Sequence, residues 1–160
     1  EDRVCLFMEF EDFILLGSHL QKDAFTVHAK KITDKVKAEY AKKGKPVIFC
    51  GDMNTRPYAV ELKDFTSEWR VLSRTDQSTF YNPDQPDNLI CIDYIFLWKG
   101  GPDVWVTEAK VCKQVSCCTI TDASDHVPIY VDVTVGNSSL PLLEEDVSLG
   151  SYNVVAENYQ

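Results

Sequence analysis

Four places in the chain set ionisable or amide side chains at the ends of, or inside, apolar runs. They are His19 in "GSHL", Asp52 and Asn54 in "VIFCGDMN", Asp93 in "LICIDYIFLW", and Asp125 with His126 in "SDHVPIYVDV". Singly, most have an ordinary reading, since Gly, Asp, Asn and Ser punctuate turns for backbone reasons. Asp93 resists that reading: a carboxylate between Ile92 and Tyr94 must be paired or bound if it is buried. Jointly, two imidazoles, three carboxylates and an amide form the inventory that metal-assisted phosphoester hydrolysis requires. A divalent cation neutralises the phosphate oxygens, and a carboxylate positions or deprotonates the attacking water. An amide and a protonated imidazole stabilise the charge that develops, and a further carboxylate orients the imidazole.

The elements that must position these groups can be read from periodicity. "RVCLFMEFEDFILLGSHL" alternates weakly about Glu11-Asp12 and predicts a two-strand hairpin ending at His19. Phe25, Ala29, Ile32, Val36 and Tyr40 recur at helical spacing from about Asp23 to Lys43, with Gly44 as the stop. "VIFC" starts a buried strand that carries Asp52 and Asn54 to its end. A short helix is expected from Pro57 to Phe65, and residues 66–89 read as loop and short strand, turn-rich at "NPDQPDN". "LICIDYIFLW", "VWVTEAKVC" and "VPIYVDVTV" complete the strands. This order predicts an α+β fold, a mixed β-sheet with helices covering one face, so a second layer must cover the other. Residues 1–136 read as the structured portion, and residues 137–160 as an extension or tail.

At 160 residues, 44% hydrophobic and 26% charged, the chain can bury one domain core. Its net charge of −9 lacks the general basic footprint of a nucleic-acid binder, without excluding a nucleic-acid substrate gripped locally. No apolar run approaches the roughly 20 residues that span a bilayer, so no transmembrane segment is expected. The six cysteines form no zinc spacing; Cys50 and Cys91 read as buried thiols, whereas vicinal Cys117-Cys118 could bridge, together or with Cys112, in an oxidising compartment. Secreted, periplasmic and cytoplasmic locations all stay open.

The motifs "GSHL", "CGDMN", "STF" followed by "CIDYIF", and "SDHVP" occur in one order and at intervals that carry a resemblance. Over about residues 3–135 the chain resembles the endonuclease/exonuclease/phosphatase superfamily, the DNase-I-like fold. That resemblance implies half of a four-layer α/β-β/α sandwich and a Mg2+- or Mn2+-dependent hydrolase. Asp52 would activate water, Asn54 and His126 would contact the phosphate, Asp93 would orient His126, and His19 would bind or protonate the phosphate. Ser18 stands where relatives usually carry Thr. Asp125, Asp52 and Asn54 are the implied metal-side residues. Thr79 and Phe80 match the strand along the substrate groove, and Arg56 and Arg74 are candidates to grip a phosphate.

The resemblance also implies that a front half, with an early Asn and the metal-ligand Glu, lies outside this chain. That half, another chain, or the tail "LGSYNVVAENYQ" with Asn153 would have to cover the open sheet face. The substrate is expected to be a phosphoester, whether nucleic acid, phospholipid headgroup or small molecule, with the acidic balance favouring a smaller one over duplex DNA. The alternative is a non-catalytic binding or structural module that reuses the fold.

Overall fold

The computed structural model describes residues 3–82, 84, 88–112 and 124–136. The expected hairpin is present: strand β1 (Cys5–Glu9) pairs antiparallel with β2 (Ile14–Ser18), Cys5 facing Ser18. Helix α1 (Phe25–Lys35) follows, extended by a wider helical turn over Val36–Tyr40 and a tighter one over Ala41–Lys43. Gly44 then takes a left-handed φ of 65°, which costs a residue without Cβ little and stops the helix where expected. The crossover returns the chain parallel to β2 as β3 (Val47–Asp52). Helix α2 (Val60–Phe65), β4 (Trp69–Val71) and β5 (Asp93–Trp98) follow, giving a five-stranded mixed sheet in the order β1-β2-β3-β5-β4. Strands β6 (Trp105–Val111) and β7 (Ile129–Thr134) make a separate antiparallel pair. The α+β class and the helix-covered sheet agree with the sequence reading.

Two boundaries differ, each for a local reason. The helix expected from Pro57 starts at Val60, because the Ala59 N–H first closes a turn on the Arg56 carbonyl at 3.0 Å. Residues 89–92, expected as strand, are not in the ladder. Their backbone pairs instead with an irregular neighbour, the Ile90 carbonyl accepting from the Thr79 and Phe80 N–H groups. Asp93 is therefore the first residue of its strand. Cys50 and Cys91 are buried free thiols, as expected, though Cys91 lies just ahead of β5. Cys117, Cys118, Asn153 and the whole of 137–160 lie outside the described residues.

Alternation along the strands divides the apolar residues between two faces. Ile14 and Leu16, Val47 and Phe49, and Tyr94, Phe96 and Trp98 meet Phe25, Ala29, Ile32 and Val36 of the helical layer and Leu62 and Phe65 of α2. On the other face Ile48 and Leu97 pack with Leu72, Val104 and the inner residues of β6 and β7, including Val106, Val131 and Val133. That second cover does not reach β1, where Leu6 and Met8, and Val4 just before the strand, remain exposed. Phe49 is the hub of the helix-side core, fully buried against the rings of Phe65, Trp69 and Phe96. Phe49→Ala should cost about 3–5 kcal/mol, read as a lower urea midpoint with an unchanged slope.

Candidate active site

The site starts from a register. Antiparallel pairing of β3 with β5 sets Asp52 directly opposite Asp93. Alternation turns both side chains away from the helical layer, and both residues are buried, at 7% and 6% exposure. Like charges directly opposite in a sheet repel, so the surroundings must compensate both.

Asp93 is compensated from one side. Its Oδ2 accepts the Thr79 hydroxyl at 2.6 Å, and His126 Nδ1 lies 3.0 and 3.2 Å from its two oxygens. Thr79 is fully buried, and its Oγ1 also accepts the N–H groups of Ile92 (3.0 Å) and Asp93 (3.1 Å). A hydroxyl offers one donor and two acceptor lone pairs, so Thr79 is saturated. Expected along the substrate groove, Thr79 has its hydroxyl bonded to Asp93 in this structure. The same residue places His126, because its carbonyl accepts the Val127 N–H at 2.7 Å beside an isolated bridge between Phe80 and His126.

Asp52 is compensated from the other side. Its Oδ1 accepts the Asn54 N–H at 2.7 Å, a side-chain turn in which Asn54 takes a left-handed φ of 47°. Asn54 Nδ2 lies 3.2 Å from Asp52 Oδ2, 3.0 Å from the Leu20 carbonyl and 2.9 Å from His19 Nε2. His19 Nε2 is itself 3.4 Å from Asp52 Oδ2, and His126 Nε2 is 3.8 Å from it. The turn that "GDMN" forms is thus also what brings Asp52, Asn54 and His19 together. Gly51 makes the arrangement sterically feasible: at φ 141° a Cβ there would stand 1.9 Å from the Ser18 carbonyl oxygen. This close approach lets the Leu20 N–H reach the Asp52 carbonyl at 2.8 Å and sets His19 over Asn54.

Five of the expected site residues, His19, Asp52, Asn54, Asp93 and His126, therefore form one connected cluster. Asp125 does not join it; it is exposed, and its backbone carbonyl accepts the Tyr81 N–H. Arg56 donates to the Tyr58 hydroxyl, and Arg74 forks onto Asp76; among the described residues neither guanidinium bonds to the cluster. Sequence reasoning missed the clamp made by Tyr94, whose buried hydroxyl joins the carbonyls of Thr55 (2.8 Å) and Cys91 (3.0 Å) and so ties together the two loops carrying the acids. A tyrosine in an apolar strand carried no signal of that partner.

Ligand atoms of Asp52, Asp93 and His126 lie within 4.8 Å of one another, a different set from the Asp125, Asp52 and Asn54 expected for a metal. Asp93 accepts from Thr79 and His126 and Asp52 from Asn54, so each carboxylate keeps lone pairs to offer. Magnesium is commonly held by one or two carboxylates together with water and phosphate oxygens, and the donor set fits that use. Burial raises the proton affinity of Asp52, the Asn54 N–H opposes the rise, and the charge of Asp93 adds to it. Burial works against the His126 imidazolium, but the bond to Asp93 and then the charges of Asp93, Asp52 and Asp125 outweigh it, so its pKa is raised.

The profile of the Endonuclease/Exonuclease/phosphatase family matches residues 12–126, and the chain belongs to that family. No curated protein matches it in sequence. Among solved structures it is similar to a mannosyl-6-phosphatase of Bacteroides thetaiotaomicron, at 22% identity and a TM-score of 0.62 over 76% of this chain and 51% of that one. A second family protein of the same organism gives 22% and 0.66 over 84% and 57%. The TDP2 protein of D. rerio, solved with a single-strand DNA product, gives 20% and 0.59 over 81% and 60%. These likenesses show the fold, and the chain spans between half and three-fifths of those structures' lengths.

Two tests follow from the cluster. A raised carboxyl pKa is a contribution to stability present only below the unfolded value, near 3.9, and lost as pH rises through the folded value. At neutral pH the Asp52 charge is therefore a cost, and Asp52→Asn should stabilise the metal-free fold by about 1 kcal/mol, seen as a higher Tm at pH 7 that converges with wild type in acid. Thr79→Val should cost about 1–3 kcal/mol, from two buried N–H groups left unpaired. It should also shift the His126 pKa, measured by NMR titration, whereas a purely packing role for Thr79 would leave that titration in place.

Proposed function

We propose that the protein containing this chain is a phosphoester hydrolase that uses water as nucleophile and requires Mg2+ or Mn2+. The observation that carries this is the paired orientation of His126: Nδ1 is held on Asp93 while Nε2 faces Asp52 across 3.8 Å. An imidazole tethered at one nitrogen presents the other in one direction, which suits proton transfer to or from a phosphoryl oxygen. Asp52, with its raised proton affinity, is suited to accept a proton from the attacking water. His19 and Asn54, bonded to each other and reaching Asp52, would bind the remaining phosphate oxygens by exchanging their mutual contacts for the substrate. A divalent ion bound at Asp52 would neutralise phosphate charge, its remaining ligands coming from water, substrate and a part of the protein beyond the described residues.

The family assignment and the phosphatase and nucleic-acid-processing neighbours support the reaction class. The acidic balance of the chain favours a small phosphoester over duplex DNA. Arg56 and Arg74, now bonded to Tyr58 and Asp76, would reach a substrate only by leaving those partners. The open apolar end of the sheet at β1 supports a further cover, from the same protein or another chain.

The test is hydrolysis of bis(p-nitrophenyl) phosphate by the complete protein with and without magnesium. Asp52→Ala and His126→Ala should each lower turnover by about a thousandfold while the fold survives. Asp93→Asn should leave magnesium affinity nearly unchanged yet cut turnover and flatten its pH profile. Near-normal turnover in either alanine variant would sink the assignment. A well-folded protein with no magnesium-dependent turnover on any phosphoester would favour the non-catalytic binding module.

A further inference from the structure

Behind the site lies a pocket of about 170 Å³ between the β1–β2 hairpin and α1. It is back to back with the catalytic cluster: Ser18 and Leu20 line it, while His19 between them reaches Asn54 on the opposite side. The chain has 25 acidic residues against 16 Lys and Arg, yet among the described residues Arg3, His28, Lys31 and Lys35 line this pocket and no carboxylate does. Lys35 is neutralised by Glu39 and sits over the Phe7 ring, but Lys31 forms no ion pair among the described residues. His28 lines the same wall, and among the described residues its buried Nδ1 has no hydrogen-bond partner. The floor is apolar, formed by Phe7, Leu20 and Ile32.

We propose that this pocket binds a small organic anion: an oxyanion head, phosphate or carboxylate, on a short apolar body. The head would take charge-assisted hydrogen bonds from Lys31 and His28, and the body would lie on Phe7, Leu20 and Ile32. A bare inorganic anion leaves that floor wet, and a neutral apolar molecule leaves the Lys31 ammonium unanswered. The combination selects an amphiphilic anion. This inference stands whether or not the protein hydrolyses phosphoesters.

The probes are butyl phosphate, butyrate, inorganic phosphate and butanol, titrated into the complete protein and followed by NMR. Butyl phosphate or butyrate should give saturable shifts at Ser18, Leu20, His28 and Ile32, with affinity at least about tenfold above inorganic phosphate, since burying even part of the chain is worth that factor. The stronger of the two identifies the head group. Lys31→Glu, at an exposed position that leaves the fold unstrained, should weaken that binding by at least about tenfold, and His28→Leu should weaken it while keeping the floor filled. Butanol binding as well as the anions would overturn the proposal. So would an affinity indifferent to Lys31→Glu, or shifts confined to Asp52 and His126, which would mean that only the catalytic cluster is occupied.

Discussion

Two carboxylates held opposite each other in an antiparallel register are the constraint around which this structure is organised. The pairing of Asp52 with Asp93 follows directly from the ladder between β3 and β5, so it cannot be relieved without moving the core strands. Each acid is then given its own set of partners. Asp93 receives a hydroxyl and an imidazole; Asp52 receives a backbone N–H, an amide and, at longer range, two imidazoles. This asymmetry gives two chemically identical groups different tasks. Asp93 is committed through short bonds to Thr79 and His126, whereas Asp52 has a raised proton affinity and a view of His126 Nε2.

The anchoring works because rigid and irregular backbone meet at this point. Phe49, buried among aromatic rings, fixes β3 up to Cys50. Beyond it the chain departs from regular structure within four residues: Gly51 admits the Ser18 carbonyl, Asn54 goes left-handed, and Tyr94 pins Thr55. Thr79 does the same for the other loop, tying Asp93 through its hydroxyl and the segment that carries His126 through its backbone carbonyl. The site's precision is inherited from the core through these few contacts.

Much of this was legible in the sequence because it rests on periodicity and on polarity in the wrong place. The hairpin, the long helix ending at Gly44, the strand ending in Asp52 and the buried position of Asp93 all follow from local pattern. The grouping of His19, Asp52, Asn54, Asp93 and His126 came from four short motifs in order. What was not legible depends on contacts between residues distant in sequence. Thr79 bonds Asp93 across 14 residues, and no pattern distinguishes a hydroxyl that faces substrate from one that faces a buried acid. Asp125 adjoins His126 and shares its motif, yet the chain bends at Asp125 and leaves it in solvent. The stretch 89–92 is as apolar as a strand, and only its pairing with Thr79 and Phe80 removes it from the ladder.

The distribution of cover over the sheet explains where function can sit. The helical layer packs one face from β2 to β5 with large apolar side chains. The other face is covered by β6 and β7 near Ile48 and Leu97, and it opens at β1. Asp52 and Asp93 point to that second face, at the end of β3 and the start of β5. A buried charge pair on the sealed face would have to be fully paid for by partners. At the end of β3 and the start of β5, beyond Ile48 and Leu97, the pair instead meets Asn54, Thr79, His19 and His126, whose polar groups offset the desolvation cost. The opposition of two acids is thus tolerated where polar groups from several segments converge on it.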